Sequence, residues 1–207
     1  MKKFREFKLF PTSVVQVSFE DEFSDADLSD MMSDVDELIE SGFYAKPPIP
    51  TFQTQQILFD DNAPLIWQKL KKSFVSACKI YLQEVNDFCP RQQSVRFTSC
   101  AAWAFRQDVD SIDNNPWHNH NPSFLSGVFY LKCDDASLGT EFMDPRTAPA
   151  DGMRNQATPA NEYSWSIFPG WLPHKSCLSL DNPIRYVVAA NMYADIKYTS
   201  NQSYIET

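Results

Sequence analysis

The chain carries three histidines, His118, His120 and His174, and all of them fall in its second half. His118 and His120 sit two residues apart in the string Trp117-His118-Asn119-His120. On extended backbone, residues two apart share a face, so both imidazoles can meet one ion. His174 stands far downstream, in Phe168-Pro169-Gly170-Trp171-Leu172-Pro173-His174, and a hairpin-rich fold can bring it alongside. Neutral imidazole suits iron, zinc, copper and nickel alike. An HxH pair by itself serves equally well as two strand histidines hydrogen-bonding at a surface. The residues around it must discriminate.

The elements that would position these rings lie after Pro90, where the apolar period changes from near 3.6 to 2. Val95, Phe97, Ser99, Ala101, Trp103 and Phe105 alternate with other residues and predict a strand with those six on one face. Further strands are predicted over 124–132, 140–143, 163–168 and 184–194, separated by Pro, Gly, Asn and Asp. Before Pro90 the pattern is helical. Leu28, Met31, Met32, Val35, Leu38 and Ile39 recur at helical spacing, with Ser24 or Asp25 able to cap the start and Gly42 to end it. After a proline-rich loop at 46–50, a short strand is expected around 55–59. A second helix is expected over 62–88 with Pro64 in its first turn. Leu70, Phe74, Ala77, Ile80 or Tyr81, and Val85 form its apolar stripe. Two helices followed by a run of short strands predict an α+β fold: a double-stranded β-helix (jelly roll) core with N-terminal helices packed against it. The whole chain reads as one domain. Residues 1–91 supply an N-terminal strand and helical support, 92–197 the jelly-roll core, and 198–207 a tail.

The histidine strings resemble those of the Fe(II)/2-oxoglutarate-dependent oxygenases, and specifically prolyl-hydroxylase-like members. Those carry HxDNP followed by an aromatic-Tyr-Leu strand. Here the string is His118-Asn119-His120-Asn121-Pro122, followed by Leu125-Ser126-Gly127-Val128-Phe129-Tyr130-Leu131. The stretch from His174 to Arg185-Tyr186-Val187-Val188-Ala189-Ala190-Asn191 looks like the family's histidine-to-arginine strand. His-x-His-x-Pro-Ser, Leu-Ser-Gly-Val, Met143-Asp144-Pro145-Arg146 and the opening Leu9-Phe10-Pro11-Thr12 resemble a poorly characterised branch in marine bacteria and phages. The resemblance implies Fe(II) held by His118, His120 and His174, with 2-oxoglutarate as co-substrate and O2 as oxidant. It implies oxidation, most simply hydroxylation, of a protein or small-molecule substrate, with release of succinate and CO2. Arg185 offers a planar fork suited to the far carboxylate of 2-oxoglutarate, and Tyr130 matches the family position whose hydroxyl reaches the same group.

Two departures stand out. His120 replaces the family's carboxylate ligand, leaving the metal site one unit more positive. Val187 stands where many relatives place a Ser or Thr that bonds the co-substrate. Asp113, Glu141 and Asp144 are substitute carboxylates, of which Asp144 reads better as the turn of an Asp-Pro-Arg corner. The bulk of His120 disfavours halide binding. A three-histidine site also resembles cupin-type dioxygenases that use no 2-oxoglutarate, in which Arg185 would have no assigned role. A third alternative is a non-catalytic jelly-roll binding module.

The net charge of −9 and the scattering of eighteen Lys and Arg argue against nucleic-acid partners. The segment 9–45 holds ten acidic residues and no Lys or Arg, the pattern of a solvated helix face or of a dock for a basic partner. Trp103, Trp117 and Trp171 are candidates to line a pocket, or core aromatics. The five cysteines form no CxxC pair, which suggests reduced thiols. No apolar run reaches membrane-span length and none of signal-peptide type opens the chain. The expected location is cytoplasmic, or a host cytoplasm for a phage-encoded protein. The oligomeric state is not legible.

Overall fold

The computed structural model describes residues 12–42, 53–88, 93–107, 116–137, 139–144, 155–177 and 184–198. It is mostly sheet, with two helices. The order is β1 (Val15–Ser18), α1 (Asp25–Glu40), α2 (Leu65–Phe88), β2 (Gln93–Gln107), β3 (Leu125–Cys133), β4 (Thr140–Phe142), β5 (Gln156–Thr158), β6 (Ser164–Pro169), β7 (His174–Ser176) and β8 (Arg185–Tyr198). The strands form a five-stranded sheet, β1-β6-β3-β8-β2, and a three-stranded sheet, β5-β4-β7. Every strand pairing is antiparallel.

Strand alternation gives the larger sheet two apolar faces. Phe129, Leu131, Trp165, Ile167, Val188, Ala190 and Met192 face the helices and meet Met31 and Val35 of α1 and Trp67, Leu70 and Phe74 of α2. Val128, Tyr130, Phe168 and Val187 point the other way, to Phe142 of the smaller sheet and Leu172. The molecule is therefore layered: helices, large sheet, small sheet. Gly127 marks the tightest helix-side approach, since a Cβ there would stand 2.8 Å from Ile167 Cδ1 and 2.9 Å from Phe74 Cε2.

The α1 start is a capping box. Ser24 Oγ accepts from the Asp27 amide, and the Asp27 carboxylate accepts from the Ser24 amide. Gly42 follows the helix at φ 82°, as a C-terminal glycine should. The acidic residues of α1 are partly spent inside the chain. Trp67 donates to Asp34, Lys69 pairs with Asp27, and Arg106 and Tyr186 both donate to Asp36. Helix α2 buries Trp67, Leu70, Phe74, Ala77, Cys78 and Tyr81; Val85 lies outside the described side chains.

Three expectations need correction. No strand forms over 55–59; Gln53 makes a single bridge to Phe105, and the chain then turns, with the Thr54 and Leu58 amides donating to Ala104 and Ala102. Helix α2 begins at Leu65, with the Pro64 carbonyl accepting from Trp67 and Gln68, so the proline stands at the cap and not inside the first turn. The six-residue stripe of β2 is broken by a bulge. Phe97 pairs with Ala194 and Ser99 with Tyr193, leaving Thr98 as an extra residue. Phe97 faces the helices, but beyond the bulge Cys100, Ala102 and Ala104 do so, while Trp103 and Phe105 turn inward. Strands β1, β5 and β7 carry too short an apolar pattern to be placed from periodicity; all three are three or four residues long.

Candidate metal centre

The three histidines converge. One donor nitrogen from each lies within 4.8 Å of the others, with no carboxylate in the group among the described residues. His174 opens β7. His118 belongs to no strand, but makes an antiparallel bridge with His174, their amides donating to each other's carbonyls at 3.1 and 2.9 Å. The His120 amide donates to the Gly170 carbonyl at 2.7 Å. Backbone pairing thus places all three rings on the inner side of the small sheet. The shared face expected for His118 and His120 holds, although one bridge and not a full strand enforces it.

Ring orientation is fixed from behind. His118 Nδ1 lies 2.8 Å from the Pro116 carbonyl and His174 Nδ1 lies 2.9 Å from the Leu172 carbonyl. A carbonyl only accepts, so each Nδ1 carries the proton and each Nε2 presents a lone pair. His120 Nε2 and His174 Nε2 stand 3.2 Å apart. Two donors at right angles around one ion, each at the usual metal–nitrogen length, would sit about 3 Å apart. Burial, helped by the neighbouring imidazoles, pushes the pKa of His120 down to about 3; burial and His118 take that of His174 to about 4 against the raising effect of the Leu172 hydrogen bond. Neutral rings of this kind are what a metal requires. The Trp103 ring packs 5.4 Å from His120, and Phe168 4.6 Å from His174, closing the group on its apolar side.

Arg185 sits deeper on the same inner face. It is 4% exposed and donates to the carbonyls of Cys177 at 3.3 Å and Gly139 at 3.2 Å. Its Nε is buried with no hydrogen-bond partner, and no carboxylate among the described residues pairs with it. Its guanidinium carbon lies 5.8 Å from the Tyr130 ring centroid. The Tyr130 hydroxyl lies 2.8 Å from Thr140 Oγ1, and burial raises its pKa against the opposing pull of Arg185, so it remains a neutral donor. In β4–β7, Phe142 is paired with His174 and Thr140 with Ser176. Thr140 is therefore two residues, about 7 Å, along the strand from the histidine rung.

The other sequence candidates distribute differently. Glu141 faces away from the site and pairs with Lys175 at 3.2 Å; Asp144 is outside the histidine group, and Asp113 is outside the described residues. Val187 is buried beside Tyr130 in the inner core. Lys175 lies over Trp117 at 4.9 Å, and Trp171 is 45% exposed. Sequence reading missed Ser126 and Asn191, buried polar residues that face inward on β3 and β8. Their signal was a polar side chain interrupting each apolar strand at an inward position.

No family model matches this sequence, and no curated protein sequence matches it. Solved structures do. AviO1 from Streptomyces viridochromogenes Tue57 superposes with a TM-score of 0.60 at 13% identity, over 88% of this chain and 90% of that one. These proteins share a fold. HygX from Streptomyces hygroscopicus, solved with nickel and 2-oxoglutarate bound, gives 0.55 at 11% identity, over 88% and 83%. A Pseudomonas putida prolyl-4-hydroxylase gives 0.54 at 12% identity, over 88% and 93%.

Proposed function

We propose that this chain is an Fe(II)- and 2-oxoglutarate-dependent oxygenase, with its two sheets as the halves of a jelly roll. The carrying observation is Arg185: a buried guanidinium with one unpartnered nitrogen and no acidic partner among the described residues, on the same interior as three converging imidazoles. A buried charge left uncompensated costs several kcal/mol, so this cation calls for an anionic ligand. His118, His120 and His174 would hold the metal. Arg185 and Tyr130 would receive the far carboxylate of 2-oxoglutarate, Arg185 by charge and Tyr130 by its hydroxyl proton. Bound Fe(II) and co-substrate supply oxidation of a C–H bond by dioxygen, coupled to decarboxylation of 2-oxoglutarate to succinate and CO2. The chain's own contribution is to hold the rings in one tautomer, to fix the co-substrate at both ends, and to exclude water with Trp103, Phe142 and Phe168. The substrate, a small molecule or a protein side chain, is hydroxylated in the simplest version. The nickel and 2-oxoglutarate bound to HygX support this reading by fold likeness.

Among the described residues no carboxylate stands beside the three histidines, which favours a second reading, a three-histidine iron dioxygenase that needs no 2-oxoglutarate. Anaerobic calorimetry of Fe(II)-loaded protein with 2-oxoglutarate separates the two. Saturable binding lost in Arg185→Ala supports the first. No binding to the parent protein overturns it.

A further inference from the structure

Resting on that oxygenase reading, we infer that Asn191, supported by Ser126 and Ser123, forms a subsite beside the metal that takes a carboxylate of the substrate. Asn191 lies on β8 at an inward position, since its neighbours Ala190 and Met192 belong to the helix-side core. Ser126 Oγ donates to Asn191 Oδ1 at 2.8 Å, and Ser123 Oγ lies 3.1 Å from Ser126 Oγ. All three residues are at most 6% exposed. With Oδ1 engaged, the Asn191 amide nitrogen has no hydrogen-bond partner among the described residues, which leaves its two protons for a ligand. Backbone ties this chain of side chains to the histidine segment, since the Ser123 amide donates to the His120 carbonyl at 2.7 Å. Gly170, whose carbonyl receives His120, must be a glycine there, because a Cβ would stand 2.2 Å from Ser123 Oγ.

Charge decides what this donor meets. A divalent ion on three neutral imidazoles carries two positive charges, and Arg185 adds a third. The 2-oxoglutarate dianion cancels two. A carboxylate at position 120 would cancel the last, but the residue is His120, and no Asp or Glu joins the group among the described residues. A substrate that brings its own carboxylate restores neutrality, with the Asn191 amide as its hydrogen-bond donor. The chain's overall negative charge does not oppose this at close range, since exposed charges are screened beyond about 8 Å in physiological salt.

The test uses Co(II)-loaded protein saturated with 2-oxoglutarate and titrated with sodium acetate, read by the cobalt visible spectrum. Acetate should bind saturably, at a midpoint independent of 2-oxoglutarate concentration. Asn191→Leu should weaken it at least tenfold, with Co(II) and 2-oxoglutarate affinities within twofold of the parent. The near-isosteric Asn191→Asp supplies the missing charge from the protein and should abolish acetate binding. Equal acetate affinity in parent, Asn191→Leu and Asn191→Asp, with Co(II) and 2-oxoglutarate still bound, overturns the carboxylate subsite alone. Failure of the parent to bind Co(II) or 2-oxoglutarate overturns the oxygenase reading and the subsite with it.

Discussion

At the residue scale, the proposed oxygenase reading gives each of four side chains a separable role. His118→Ala and His174→Ala should each remove tight Fe(II) binding, because a small ligand set loses several kcal/mol with one member; anaerobic calorimetry reads this directly. Arg185→Ala should leave iron in place and weaken 2-oxoglutarate by about 2–5 kcal/mol, the usual loss for a buried charge-assisted pair. His120→Asp should keep the metal and weaken it less than His120→Ala, since a carboxylate can replace an imidazole. Its shorter reach makes altered turnover the expected result. The histidines also predict a pH dependence of the metal-free protein. The folded state holds His120 and His174 at about 3 and 4, below the ordinary value of 6.5. Between those limits the unfolded chain binds more protons, so stability falls as pH drops below about 6.5. Carboxylate effects are common to parent and variant. The denaturation midpoint of His120→Gln should therefore fall less steeply from pH 7 to 4.5 than the parent's, and equal slopes would contradict the burial of these rings as neutral groups.

At the element scale, the site depends on the large sheet lying close against α2. Gly127 is the point of contact, with Ile167, Phe74 and Trp165 within 3.0 Å of any added Cβ. Gly127→Val should destabilise the protein by about 1–3 kcal/mol through overpacking, measured by urea denaturation. It should leave metal affinity per folded molecule unchanged, because Gly127 faces away from the histidines. Much of this level was legible in the sequence. Helix α1 was readable because Ser24, Asp27 and the Leu28–Met31–Val35 stripe all agree. The inward set His118, His120 and His174 was readable from spacing and surrounding strings. What was not legible has physical causes. β7 has three residues, too few for a period, and the phase of β2 cannot be read through a bulge that sequence does not announce. Ser126 and Asn191 interrupt apolar strands, but which face they take is fixed only by the burial of their neighbours.

At the scale of the whole molecule, the chain surrounds its site from far-separated segments. Asp36 of α1 binds Arg106 of β2 and Tyr186 of β8, so the helical layer is tied to the strand that begins at Arg185. None of the described helices is long and apolar enough to cross a membrane. A metal that binds only the folded form stabilises it by mass action. Thermal unfolding should shift upward with Ni(II), and further with Ni(II) plus 2-oxoglutarate. The second increment should vanish in Arg185→Ala.

The extra residue in β2 makes Thr98 the place where the strand can change length. Phe97 and Ser99 pair with the consecutive β8 residues Ala194 and Tyr193, so the ladder closes with or without the residue between them. Deleting Thr98 would leave Phe97 on the helix side and Trp103 beside His120, because plain alternation then puts the two on opposite faces. Removing Ala102 with the bulge kept would instead turn Trp103 and Phe105 into the wrong layer. Lineages of this protein should therefore gain and lose residues at position 98 more readily than elsewhere inside β2. An alignment of homologues would show the strand's gaps collected in that column.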